Sequence, residues 1–375
     1  MATLVFIAGL ASLVWTAYST SLDIKGGASI GAETNPTRPG YEAQVKANST
    51  YLVAGVDSKG TLTDAMLVVP GATTGGTVMF IPGVTLIEDA KLELSTFAAQ
   101  NGLEAAVKEI EKILGCAVSN TITADAAQLE TWFTPLGSLK IDNPDTMVER
   151  TSPTDSRIVF GPGALTLEPA DIGKYLSFVS DGEPGINRVT RLQTVMDAWM
   201  KAIVAMPAGA PAPGDVGSAV GGEPLDAGSM FTQLAGGTVA FQTLPTQAIA
   251  IPGTNGARVY KPDPAAMKQL LSSVVPYPTS AFPGQRPRVR VFNGSTDLGA
   301  ATRAAPGIID LGAEITVFGN WKEPTIAITD VQYNAASAQV VAEAIAAKFG
   351  VQAVGSGSTS DAYDITLVLG ADVTK

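Results

Sequence analysis

Two aspartates carry the first chemistry in this chain. Asp57 stands in a turn, Asp57-Ser58-Lys59-Gly60, after the apolar run YLVAGV, and Asp64 opens the next apolar run, DAMLVV. A carboxylate in such a turn accepts N–H groups of its own backbone, and one at a strand start caps or solvates it. Arg188 and Arg191 flank the start of a helical pattern beside Glu183, an arrangement that favours ion pairing. The chain contains His 0, which excludes Ser-His-Asp and Cys-His nucleophile systems and every metal site built on imidazole. Its one cysteine, Cys116, excludes an intramolecular disulfide. It ends an apolar helical pattern and reads as a small buried hydrophobe rather than a reactive thiol.

The elements that position these groups have ample apolar material. The chain has 375 residues, 46% hydrophobic and 16% charged, enough for two domains with real cores and against wholesale disorder. A net charge of −11 without a basic stripe argues against nucleic acid, whose phosphates are held by clustered Lys and Arg. The first charge is Asp23, after TLVFIAGLASLVWTAYSTSL, about the ~20 residues that cross a bilayer as a helix. Trp15 and Tyr18 fall where interfacial rings favour the headgroups. Residues 1–22 therefore read as a transmembrane anchor, with a signal peptide cut near Ala17-Tyr18-Ser19 or a buried core helix as alternatives. The anchor implies a single-pass protein of the cell membrane with the bulk of the chain extracytoplasmic.

Residues 23–48, rich in Gly, Pro, Ser and Thr, read as a spacer. In NGLEAAVKEIEKILG, Leu103, Ala106, Val107, Ile110, Ile113 and Leu114 recur at helical spacing, with Asn101 to begin the helix and Gly115 to end it. Glu104 and Lys108 form a favourable i,i+4 pair. SNTITAD and GSLKIDNP predict strands on either side of a helix over 126–133. RIVFGPGALTLEPADIGKYLSFV predicts a strand, a turn and a helix after Glu168-Pro169. RVTRLQTVMDAWMKAIVAM predicts a long helix packing Val189, Leu192, Val195, Met196, Trp199 and Ile203. Residues 207–228 form a Pro/Gly/Ala-rich flexible insertion, TVAFQTLPTQAIAI adds strand material, and Asp263-Pro264 start a short helix. After a linker over 277–287, residues 288–375 alternate strands and helices, a small α/β sandwich. In it Pro306-Gly307 interrupts a helix, TIAITD is a strand, and Asn334 caps a helix packing Val340, Val341, Ala344, Ile345 and Phe349.

This last unit resembles the LytR C-terminal domain, through residues 289–294 (VRVFNG), 317–320 (VFGN), Tyr333 and 364–372 (DITLVLGAD). Upstream, residues 49–276 resemble the LytR–CpsA–Psr (LCP) family. The likeness is carried by 51–85, GLEAAVKEIEKILG, IVFGPGALTLEPADIGKYLSFV, RVTRLQTVMDAWM and VAFQTLP. The resemblance implies an α/β fold with a mixed central sheet and an apolar groove for a polyprenyl chain. It implies enzymes that move cell-wall glycopolymers from a polyprenyl-pyrophosphate carrier onto peptidoglycan. The family's label of transcriptional attenuator gains nothing from this acidic chain.

Transfer from a pyrophosphate needs fixed positive charge against the developing phosphate charge, and losing one such donor costs about 10²–10³ in rate. Guanidinium forks suit the task, and Mg²⁺ held by one or two carboxylates would share it. Matched onto this chain, Asp57 and Asp64 stand as metal ligands, and Arg188 and Arg191 as phosphate contacts. The family's arginines are replaced by Leu62, Gly83, Ser180 and Gly182, and the Asp after Ile-Pro-Arg by Val84. The implied protein is an envelope protein with a catalytically degenerate LCP domain, binding polyprenyl lipid, cell-wall glycan or a partner protein in support of cell-wall assembly. No cofactor is then required. The alternative is an active Mg-dependent phosphotransferase that recruits arginines such as Arg150 or Arg157. A third reading gives all function to the C-terminal domain as a protein- or glycan-binding module.

Overall fold

The apolar runs that flank Asp57 and Asp64 form the centre of a sheet. The computed structural model describes residues 33–374 except 153, 181–182, 184, 207–218, 221–226, 251–257, 324 and 358–361. It divides into two compact units, Ser49–Leu114 with Val118–Met267, and Met1–Asn48 with Gly115–Ala117 and Lys268–Lys375. The expected membrane segment, 1–22, lies outside the described residues. Among those described, no helix is long and apolar enough to cross a membrane.

In the first unit β1 (Tyr51–Val56), β2 (Leu62–Pro70) and β3 (Gly76–Pro82) are antiparallel neighbours. β4 (Asn120–Ala124) runs parallel to β1, with β5 (Ala219–Val220) antiparallel beyond it. β6 (Val239–Thr243) runs parallel to β3, so the sheet is mixed, in the order β5-β4-β1-β2-β3-β6. β5 lies within the expected insertion over 207–228, most of which falls outside the described residues. The central strands are buried on both faces, which explains their near-continuous apolar sequence.

Five helices named here frame the sheet: α1 (Leu103–Leu114), α2 (Ala126–Phe133), α3 (Pro169–Ser177), α4 (Asn187–Val204) and α5 (Ala227–Ala235). α1 buries Ala106, Ile110 and Leu114, ends at Gly115 with φ 69°, and carries the Glu104–Lys108 pair at 3.1 Å. Asn101 does not begin it. That residue closes the preceding helix, Leu94–Asn101, its amide donating to the Phe97 carbonyl. Asp125 caps α2 by accepting the Gln128 N–H at 2.7 Å. α4 buries Val189, Val195, Met196, Trp199 and Ile203 of the expected stripe. Trp199 packs on Phe133 at 4.5 Å and Phe231 at 4.3 Å, and stacks with Trp132 at 6.1 Å. Such aromatic packing dominates the burial of this core.

The second unit is also a mixed six-stranded sheet. β7 (Arg288–Asn293) lies between parallel β8 (Glu314–Asn320) and β11 (Ile365–Leu369), β9 (Asp330–Tyr333) pairs antiparallel with β11, and β10 (Ala353–Gly355) closes that edge. The other edge is Glu42–Gln44, antiparallel to β8, within the segment expected as spacer. It is held because Tyr41 is buried and Asn320 donates to the Pro36 and Arg38 carbonyls. The segment expected as linker, 277–287, is packed too. Buried Arg286 donates to the carbonyls of Gly115, Ile309 and Ala313. Burial pulls that guanidinium's pKa down, against the nearby Cys116, Glu314 and Asp310. Cys116 is fully buried, as its sequence context predicts.

Three local expectations in this unit change. α6 (Ala300–Asp310) runs through Pro306, held by buried Ala305, Ile308 and Ile309. The strand expected over 325–330 begins only at Asp330. α7 (Gln339–Lys348) starts after Ala338 rather than at Asn334, whose side chain instead accepts from Ser356 Oγ and donates to the Tyr363 carbonyl. The helix then presents Ala342, Ile345 and Ala346 to the core and leaves Val340 76% exposed.

Candidate functional site

The β1–β2 register decides which carboxylate goes inward. Asp64 pairs across from Gly55 on one side and Pro82 on the other. Its carboxylate lines a cavity of about 600 Å³. The walls are apolar: Val53 and Val56 from β1, Ala65 and Met66 from β2, Leu129, Trp132 and Phe133 from α2, Leu176 from α3, and Leu192, Val195, Met196 and Trp199 from α4. Leu192, the partly buried member of the stripe, lines the cavity together with Val195, Met196 and Trp199. Among the described residues, Asp57, Asp64, Asp125 and Arg188 are the charged members of the lining.

Asp64 and Arg188 are brought together. Arg188 Nε lies 3.2 Å from Asp64 Oδ2, and a terminal nitrogen donates to the Thr63 carbonyl at 3.2 Å. The Nε approach is ionic, because its N–H is not aligned on a hydrogen-bond acceptor. Gly83 N–H donates to Asp64 Oδ1 at 2.9 Å. Burial pushes the Asp64 carboxyl up from 3.8 to about 6, against the pull of Arg188, Gly83 and Arg191. Burial also raises Glu93, again against Arg188.

A raised acid pKa has a definite sign. The stability that protonated Asp64 lends the fold is fully present below about pH 3.8 and is lost as pH rises through about 6. The stability difference between the wild type and Asp64→Asn therefore falls by roughly 1.4 kcal/mol from pH 5 to pH 8. Urea unfolding of both proteins across that range checks this, and a flat difference contradicts it.

Asp57 is occupied by its own turn. Its Oδ1 accepts the N–H groups of Lys59 at 2.8 Å and Thr61 at 2.9 Å, which hold its pKa below the ordinary carboxylate value. Arg191 goes elsewhere. It is fully buried, ion-paired to Glu183, 3.9 Å from Asp145, and donates to the Phe178 carbonyl at 2.7 Å. It is absent from the cavity lining. The replaced arginine positions are also committed to the fold. Leu62 is buried. Ser180 Oγ accepts the Val148 N–H at 3.0 Å. A Cβ on Gly83 would lie 1.8 Å from the Thr63 carbonyl oxygen, so no arginine fits this backbone there. Gly182 lies outside the described residues. Arg157 pairs with Glu149 on an exposed hairpin, and neither it nor Arg150 lines the cavity.

These donors fit an all-protein Mg²⁺ site poorly. One carboxylate is taken up by a turn and the other by Gly83 and Arg188. Among the described residues no group of three or more His, Cys, Asp or Glu side chains could hold a metal. Trp132, Phe133 and Asp125 are the site residues that sequence reasoning missed. An Asp immediately before an apolar helix carrying adjacent aromatics is the signal that marks them.

Fold and site define an α/β domain with an apolar cavity and a carboxylate–guanidinium pair in its lining, followed in the chain by a small α/β sandwich. Residues 286–372 match the family described as LytR cell envelope-related transcriptional attenuator, and this part of the chain is a LytR C-terminal domain. Similar solved structures include B. subtilis TagV, at 14% identity and TM-score 0.47, covering 61% of this chain and 96% of that one. B. subtilis TagT is 15% identical with TM-score 0.44, covering 61% and 90%. A further structure, of TagT bound to LIIa-WTA, is 16% identical with TM-score 0.47, covering 67% and 96%. No curated protein matches the sequence.

Proposed function

We propose that this is an exported, membrane-anchored cell-envelope protein whose first domain is a degenerate LCP domain. It holds the apolar chain of an envelope lipid, of polyprenyl type, without transferring its head, and so supports cell-wall assembly. The observation that carries this reading is the cavity itself. Its walls are aliphatic and aromatic, while Arg188 is the one lining cation among the described residues and already faces Asp64. Burying hydrocarbon there is favourable by about 25 cal/mol per Å² of apolar surface. Gripping a pyrophosphate calls for several convergent guanidiniums. Arg150 and Arg157, the candidates for a recruited phosphate site, are absent from the lining, so no observation favours the transferase reading.

Mass spectrometry of solvent extracts from detergent-free protein tests the proposal. The wild type is expected to carry a long-chain lipid. Leu192→Trp, which narrows the cavity, should retain at least tenfold less while remaining folded by circular dichroism. Equal lipid in both proteins, or none in the wild type, counts against the cavity as the binding site.

A further inference from the structure

We propose that the cavity of the first unit measures chain length, taking about twenty carbons of an apolar tail and leaving any further carbons outside. This rests on the lipid-binding reading above and adds the size of tail that the site accepts. The limit follows from volume. The cavity holds about 600 Å³. A methylene is close in size to a water molecule, whose share of liquid volume is roughly 30 Å³. The ratio of the two gives roughly 20 carbons, or four isoprene units.

The lining differs in exposure from one side to the other. Ser58, Asp125 and Ser177 are exposed, whereas Trp132, Phe133 and Trp199 are at most 1% exposed. More core backs the buried side. Phe231 of α5 is fully buried and outside the lining, its ring 5.5 Å from Trp132 and 4.3 Å from Trp199. A tail that enters from the exposed side therefore stops against close-packed rings, and packing of that density yields little room. Affinity then follows carbon number only while each added carbon finds a wall. A methylene that leaves water for that wall raises affinity by up to about fourfold. A carbon beyond the filled cavity stays in water, or in the lipid phase it came from, and adds nothing. A carrier longer than the limit is thus gripped over part of its length.

The test is equilibrium dialysis of the detergent-free full chain with tritiated prenyl alcohols of 10, 15, 20 and 30 carbons, each below its solubility limit. Affinity should rise at least about tenfold with each added isoprene unit up to 20 carbons, and change by less than about threefold from 20 to 30. Leu192→Trp, which narrows the cavity, should cost the 20-carbon alcohol at least about threefold more affinity than the 10-carbon one. A rise that continues as steeply to 30 carbons, or a plateau already reached at 10 or 15, would overturn the length limit and leave the lipid-binding reading standing. An equal loss for both alcohols in Leu192→Trp would overturn the assignment of the limit to this cavity. Failure of every alcohol to bind would overturn both readings.

Discussion

Replacing Arg191 with alanine lowers the stability of the first unit by about 3–5 kcal/mol, because it strands a buried carboxylate. Arg191 has no exposed surface, and Glu183, its partner, is 7% exposed. The guanidinium also caps the Phe178 carbonyl and approaches Asp145. Glu183 in turn accepts the Ser180 N–H at 2.8 Å, so one charge pair ties the chain after α3 to the second turn of α4. Removing one partner leaves that tie without its counter-charge in a place water does not reach. Removing the charge from both sides, as in Arg191→Met with Glu183→Gln, should recover most of the loss, since buried pairs are often replaceable by uncharged groups of similar volume. Urea unfolding followed by tryptophan fluorescence in a Trp15→Phe, Trp321→Phe background reads the first unit through Trp132 and Trp199. A loss below about 1 kcal/mol in Arg191→Ala would show that the pair is not the structural tie described.

The same pair shows where sequence reading stops. Arg191 sits three residues after Arg188 at a helix start beside a glutamate, a local pattern that fits a surface ion pair. Its burial comes with partners at Phe178, Asp145 and Glu183, and nothing in the local sequence announces that. The apolar face of α4 was legible because Val189, Val195, Met196, Trp199 and Ile203 repeat at helical spacing, and α1 because its apolar stripe ends at Gly115. The Asx turn of Asp57 was legible for the same local reason. Which of the two lining aspartates is buried and paired follows from strand register, a long-range property, as do the roles of Asp125 and Trp132. In the second unit, composition misled where it marked 23–48 and 277–287 as connecting chain. Tyr41 and Arg286 find buried places that Pro and Gly content does not reveal. Val340 was expected on the packed face with Val341, Ala344, Ile345 and Phe349, but the helix turns Ala342, Ile345 and Ala346 inward instead.

The largest effect concerns transfer chemistry. Each preorganised donor to a developing phosphate charge contributes about 10²–10³ in rate. Leu62, Gly83 and Ser180 stand where the LCP resemblance places such donors, and each is bound into core, strand edge or backbone hydrogen bonding. Arg188 pairs with Asp64 and Asp57 is held by its turn, so on the proposed reading neither makes up for them. The most direct measurement is a mass-spectrometric turnover assay with a polyprenyl-pyrophosphate-linked glycan, Mg²⁺ and a peptidoglycan acceptor. The predicted result is no transferred glycan above the protein-free background. Transfer that appears with the wild type and disappears with Asp64→Asn would contradict the account.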